Sequence, residues 1–345
     1  MDTLLNVQMQ IVPDLLLVMQ KRYEILRSIS VMEPVGRRTL ANVLGLTERT
    51  LRSEVDFLKK QQLIDIQTSG MSITEKGYTL MYQLEETMRY ILGINLLESK
   101  LTELLQIQEV VIVQGDSDSN SLVKNEIGKA CAERMKMELE KDNIIAVAGG
   151  TTMASTAEML TPGLSKEKSL LFVPARGGLG EEVYNQANVI CAKMAERTGG
   201  SHSVLYAPDQ IGREAYESLM KEPSIKENLR LLKSANIVLH GIGDAIIMAK
   251  RRGTSAENMQ KIKAQKAVGE AFGYYFNEEG EIVHKVPTIG IQLAELSSDG
   301  RKVIAAAGGK SKAKAIMAYM KSAPKTTILI TDEGAAKAIL EGITF

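Results

Sequence analysis

From about Glu109 onward, short apolar runs rich in β-branched residues alternate with amphipathic helical stretches, and this rhythm restricts the fold more than any other feature. The runs are Val110 to Val113, Ile144 to Val147, Leu170 to Val173, Val204 to Tyr206, Ile237 to Leu239, Val303 to Ala305 and Ile328 to Ile330. Strands that are apolar throughout are buried on both faces, and helices between them serve as crossovers. The expected fold class is α/β, with a doubly wound, mainly parallel sheet.

The N-terminal part follows another pattern. Pro13 suits the first turn of a helix reaching Arg27, a second helix covers Arg37 to Leu44, and Gly45-Leu46 breaks it. Thr47 stands as an N-cap before a third helix whose inner face is Leu51, Val55 and Leu58. Two short runs, Leu63 to Thr68 and Met71 to Thr74, flank Ser69-Gly70 and read as a β-hairpin. Helix, turn, helix, hairpin is the order of a winged helix-turn-helix.

A chain of 345 residues is expected to form two units. They divide as 1–92, the winged helix-turn-helix with a connecting helix, and 93–345, the α/β domain. In the connecting stretch, Leu80, Leu84, Ile91, Ile94, Leu101 and Leu105 form a seam interrupted by Thr87 and Glu98. The seam is read as pairing with another copy. The alternative is packing on its own α/β domain, and Gly93 is a point where the helix can divide.

Composition narrows the class further. With 44% hydrophobic and 24% charged residues, the chain is globular rather than disordered. Its net charge of zero does not exclude DNA, because a small basic face can be balanced elsewhere. Cys131 and Cys191 lie far apart and read as buried free thiols, so no disulfide or metal site is expected. No basic leader and no apolar run of about 18 residues is present, which implies a cytoplasmic protein without a membrane partner.

On the third helix Glu48, Arg49, Thr50, Arg52 and Ser53 face outward, where such side chains reach base edges from a helix N-terminus in the major groove. Arg37, Arg38, Lys59 and Lys60 suit phosphate contacts, and Thr47 joins the DNA-facing set. A charged helix alone is more often a solvated face; the hairpin and the helix-starting Thr74-Glu75-Lys76-Gly77-Tyr78 favour a reader of double-stranded DNA.

Four strand ends carry glycine-rich loops: Gly149-Gly150-Thr151-Thr152, Arg176-Gly177-Gly178-Leu179-Gly180, Gly241-Ile242-Gly243-Asp244 and Gly308-Gly309-Lys310-Ser311-Lys312. In an open parallel sheet they converge on the carboxyl edge. Glycine admits close backbone approach, hydroxyls donate, and helix N-termini favour anions. Arg176, Arg251 and Lys312 add positive charge, so a phosphorylated ligand is expected. No loop fits the P-loop or dinucleotide fingerprint, which disfavours ATP and NAD, and no cofactor is expected.

The stretches PDLLLVMQKRYEIL at Pro13, EPVGRRTL at Glu33, VAGGTTM at Val147, FVPARGGLGE at Phe172, NQAN at Asn185, HGIGDA at His240, GEAFGYYFN at Gly269 and AAAGGKSKAKAI at Ala305 resemble the SorC family of bacterial sugar-responsive transcription regulators. The resemblance covers essentially the whole chain. It implies a C-terminal domain related to sugar-phosphate isomerases and deaminases, fructose-1,6-bisphosphate as effector, and control of a glycolytic operon. It implies that Gly149, Gly150, Thr151, Thr152 and Lys312 meet phosphate. Arg176, Gly177, Gly178, Leu179 and Arg251 would meet phosphate or hydroxyls, and Gln186 and Glu270 the sugar. Lys310, which shares the last loop, departs from the pattern and leaves open which lysine dominates. The DNA-binding protein is expected to be a homo-oligomer, dimer or tetramer.

The competing reading is a sugar-phosphate isomerase or deaminase fused to a winged helix. It needs an acid/base pair, for which His202, His240, His284, Glu270, Asp116 and Asp118 are the candidates, and none forms a convincing pair. A protein-binding adaptor whose winged helix never meets DNA is the third class.

Overall fold

A computed structural model describes residues 7, 10–178, 182–208, 212–298 and 300–342 of the chain. They separate into two compact units, up to Asn95 and from Leu96 onward.

The first unit contains α1 (Pro13–Met32), α2 (Arg37–Val43), α3 (Glu48–Lys60), the hairpin β1 (Ile64–Gln67) and β2 (Gly70–Ile73), and α4 (Glu75–Ile91). The Thr47 hydroxyl accepts the Thr50 N–H at 3.2 Å to start α3, and the Thr74 hydroxyl accepts the Gly77 N–H at 3.0 Å to start α4. Helix α1 runs on to Met32 rather than stopping at Arg27, because Ile29 joins a core of Ile25, Leu40, Leu51, Val55, Leu58 and Met71. The Glu33 carboxylate fastens the hairpin, accepting the Ile73 N–H at 2.7 Å and the Tyr78 hydroxyl at 2.5 Å.

The connecting stretch is not one helix. Gly93, at φ +70°, divides α4 from α5 (Ile94–Leu105). Glu98 Oε1 accepts the Ile112 N–H at 2.7 Å and Thr102 Oγ1 the Val110 N–H at 3.1 Å, so α5 supplies side-chain acceptors to strand β3 (Glu109–Val113). Leu101 and Leu105 are buried. For this half, the structure shows the alternative in which the seam packs on its own domain. Glu98 interrupts the seam because it has this other task.

The second unit continues through α6 (Leu122–Glu138), β4 (Asp142–Val147), α7 (Thr151–Glu158), β5 (Ser169–Pro174), α8 (Ala187–Thr198), β6 (Ser201–His202), α9 (Arg213–Leu219) and α10 (Pro223–Lys233). Then come β7 (Ile237–Gly241), β8 (Gly243–Asp244), α11 (Ala245–Arg251), α12 (Ala256–Ala264), β9 (Gly269–Ala271), β10 (Tyr274–Phe276) and β11 (Ile282–Lys285). Last are β12 (Lys302–Ala306), α13 (Ala313–Met320), β13 (Thr327–Asp332) and α14 (Glu333–Glu341). Seven strands in the order β3-β13-β12-β7-β4-β5-β6 form one sheet whose pairings are all parallel. The order reverses between β4 and β7. Ile145, Phe172, Ile237, Leu239, Ile304, Ile328 and Ile330 make a dry core with Cys131 and Cys191, both free thiols. Burial pushes the Cys131 thiol up to about 12.

Two features depart from expectation. The run Val204 to Tyr206 is not a strand: β6 ends at His202, and the Asn188 side chain takes both the N–H and the carbonyl of Leu205 at 3.0 and 3.1 Å. Of this run only Leu205 is buried, in a satellite cluster with Ala207, Ile225 and Ile289, while Val204 is half-buried and Tyr206 exposed. A second, antiparallel sheet, β11-β10-β9-β8, stands beside the one parallel sheet that the sequence implies. Its central hairpin turns at Phe272 and Gly273, whose φ values of 53° and 86° match the turn that follows strand twist.

Candidate functional site

Where β4 and β7 part, their carboxyl ends open a cavity of about 90 Å³ at the topological switch point. Ala148 to Met153, His240 to Gly243, Arg176, Met248, Arg251, Glu270, Phe272 and Lys312 line it. The volume lies below the roughly 300–1,000 Å³ of ligand pockets, so seating a large ligand requires the walls to part. On the β4 side, a Cβ on Gly149 would fall 2.7 Å from the Asn185 carbonyl oxygen, so only glycine permits this close packing. The Gly150 carbonyl accepts the Ala154 N–H at 3.0 Å, which leaves the amides of Thr151 to Met153 as the open donors of α7 at the cavity wall.

Opposite them lies a buried ion cluster. Glu270 Oε1 accepts from Arg252 Nη2 at 2.7 Å and from the Gly273 N–H at 2.6 Å, with Arg176 Nη1 at 3.6 Å. Burial pushes this carboxyl up, but Arg252, Arg176 and the amide together hold it below the usual carboxylate range. Glu270 Oε2 faces Gly243 on the cavity side, 3.7 Å from where a Cβ would stand. Arg252, the neighbour of the expected Arg251, was missed. Two adjacent arginines look alike in sequence, yet Arg251 reaches the cavity while Arg252 turns inward to Tyr275 and Glu270.

Of the two candidate lysines, Lys312 lines the cavity and Lys310 is exposed. Burial, and then repulsion from Lys124, lower the Lys312 ammonium against the pull of Asp118. Lys124, on the first turn of α6, had drawn no attention because a lone lysine carries no signal. The Arg176 loop divides. Arg176 enters the cavity, whereas the Gly177 and Gly178 amides donate to the Ile289 and Ala207 carbonyls at 3.1 and 2.9 Å. Gly178 stands against the Gln186 side chain, and Leu179 lies outside the described residues.

His240 is fully buried behind the cavity. Its Nδ1 meets the Gly241 carbonyl at 3.0 Å, so it carries the proton, and Nε2 accepts from the Tyr319 hydroxyl at 3.0 Å. Burial lowers its pKa to about 4. The unfolded chain binds this proton from about pH 6.5 downward, so stability falls as pH drops from there toward about 4. Urea midpoints at pH 7 and pH 5 should therefore differ less in His240→Gln than in the unsubstituted chain. His202 is exposed on β6 and His284 half-buried beside Tyr275 on β11, so neither joins the cavity.

On α3, Leu51, Val55 and Leu58 are buried while Arg49, Arg52 and Ser53 are exposed and Thr50 is half-buried. Glu54 is buried between Lys21 at 2.5 Å and Arg22 at 2.8 Å, and Arg22 stacks 3.6 Å over the Phe57 ring, which pins α3 to α1. Arg37 pairs with Asp56 at 3.4 Å and Arg38 with Glu48 at 3.3 Å. Among the described residues, Arg49 and Arg52 form no ion pair. Lys59 and Lys60 are exposed in the last turn.

The CggR N-terminal DNA-binding domain family matches residues 18–88, and the sugar-binding domain family matches residues 90–341. Fold and site thus define a DNA-binding transcription regulator with a sugar-binding domain. The chain is 57% identical over 341 residues to the central glycolytic genes regulator of Priestia megaterium and 53% identical over 340 to that of Bacillus subtilis, covering 99% of each chain. A SorC family transcriptional regulator from Enterococcus faecalis superposes with a TM-score of 0.67 at 50% identity, over 71% of this chain and 99% of that one. The full-length sorbitol operon regulator of Klebsiella pneumoniae shares the fold, with a TM-score of 0.63 at 19% identity over 89% of this chain and 94% of its own. The chain belongs to the SorC family, within the central glycolytic genes regulators. Its relatives are regulators, so the enzyme reading falls. Among the described residues no helix is long and apolar enough to cross a membrane.

Proposed function

We propose that this regulator is a cytoplasmic repressor of a glycolytic operon whose grip on operator DNA is modulated by fructose-1,6-bisphosphate or a related sugar phosphate. In this reading 1–92 binds DNA, and 93–345 senses the effector and assembles the homo-oligomer, a dimer or tetramer. The observation that carries it is the convergence, at one switch-point cavity, of the α7 amides, Lys312, Arg251, Arg176 and a carboxylate. Amides and cations suit phosphate, and Glu270 suits sugar hydroxyls. The names of the relatives at 57% and 53% identity support the glycolytic assignment. A ligand acts here only by binding one arrangement of the regulator better than another.

Thermal unfolding with a series of sugar phosphates tests this. At 100 times its dissociation constant, fructose-1,6-bisphosphate should add about 2.7 kcal/mol, and Lys312→Met should remove most of that gain while keeping ligand-free operator binding. A shift with another sugar phosphate alone would redirect the effector assignment. No shift with any of them would remove the cavity from the mechanism.

A further inference from the structure

The loop after β12 presents the donors expected of a phosphate cradle, and carboxylates of the chain already occupy them. The Gly309 N–H donates to Asp332 Oδ2 at 2.7 Å, the Lys310 N–H to Asp116 Oδ1 at 3.3 Å and the Ser311 N–H to Asp118 Oδ2 at 2.7 Å. The Ser311 hydroxyl adds a bond to Asp118 Oδ1 at 3.0 Å. Gly309, at φ +98°, admits this approach: a Cβ there would lie 2.5 Å from Asp118 Oδ1.

The outer carboxylates are not equivalent. Asp332 is fully buried, and it also accepts the N–H groups of Ser117 and Ala335 at 2.9 and 2.8 Å. It is part of the frame. Asp118 is exposed, and among the described residues its carboxylate accepts hydrogen bonds from Ser311 alone. The residue after Ser311 is Lys312, whose side chain lines the cavity.

We propose that Asp118 is an internal anion that sets the phosphate affinity of the cavity, competing with a ligand phosphate for Lys312 and the Ser311 donors. The proposal rests on the cavity being the effector site. A phosphate at Lys312 meets Asp118 either as a like charge nearby or as a group to be displaced from Ser311. In both cases the carboxylate weakens binding, and its neutral isostere does not.

Calorimetric titration of the full chain with fructose-1,6-bisphosphate, and separately with inorganic phosphate, decides it. Asp118→Asn should bind both ligands about five-fold more tightly. Ser311→Ala, which takes the hydroxyl from carboxylate and phosphate alike, should not reproduce this gain, and an equal gain there would overturn the competition. Unchanged or weaker binding by Asp118→Asn, beside normal binding by the unsubstituted chain and loss in Lys312→Met, overturns the proposal and leaves the cavity assignment standing. No binding of either ligand by the unsubstituted chain overturns both.

Discussion

Glu270→Leu is expected to lower the stability of the α/β unit by about 3–5 kcal/mol. The Arg252 side chain is fully buried and that of Arg176 nearly so, and Glu270 stands between them. Removing the carboxylate leaves both guanidiniums in a low-dielectric wall and also strips the Gly273 N–H of its acceptor. In urea unfolding of the intact chain, the midpoint of the α/β transition should fall with little change in slope. For a unit of this size the melting temperature should drop by roughly ten degrees. Glu270→Gln keeps the shape and one acceptor, and should cost less. The carboxyl is held below its ordinary range, so its contribution is present at neutral pH and is lost as pH falls through that lowered value. An unchanged midpoint in Glu270→Leu would show that the arginines find other acceptors, and the cluster would then not be a structural unit.

The same cluster bears on recognition. A buried ion group seldom maximises stability, but here it fixes Arg176 and Glu270 at one cavity wall in a single arrangement. Phe272, at a left-handed φ that bulky residues rarely adopt, is held at that wall against His240, their rings 4.6 Å apart. The hairpin from β9 to β10 thereby carries two lining groups on one short turn.

What could be read from the residues, and what could not, follows from locality. Buried parallel strands are long enough to declare themselves, and Gly-Gly pairs after them mark loops at a sheet edge, so the glycine-rich side of the cavity was legible. The same apolar signal misled at Val204 to Tyr206, because a short apolar run reads alike in a buried strand and in a coil that is held by Asn188 and buries only Leu205. Strands of two or three residues, β8 to β10, are too short for periodicity. The pairings of Glu270 with Arg252 and of Ser311 with Asp118 join residues separated by 18 and 193 positions. No spacing rule reaches so far. The choice between Lys310 and Lys312 was equally hidden, since it depends on the single tight turn that exposes one and directs the other inward.

Arg52→Ala is expected to weaken operator binding by about 1–3 kcal/mol while leaving the unfolding midpoint within about 0.5 kcal/mol of the unsubstituted chain. Arg52 is exposed on α3 within two turns of the Thr47 cap, and no carboxylate among the described residues holds it. The N-terminal part of such a helix meets base edges in the major groove. The loss should therefore fall on the operator and much less on unrelated DNA, so the ratio of the two affinities drops. Arg37→Ala provides the contrast. Arg37 must first leave Asp56, an exposed pair of small worth, before it can meet a phosphate. Its removal should weaken all sequences alike and flatten the dependence of log affinity on log salt by about 0.9. Titrations of operator and scrambled duplexes at several salt concentrations separate the two behaviours. If Arg52→Ala lost affinity equally on both duplexes and with a flatter salt dependence, Arg52 would be a phosphate contact, and the reading of bases would have to come from Arg49 and its neighbours on the same helix.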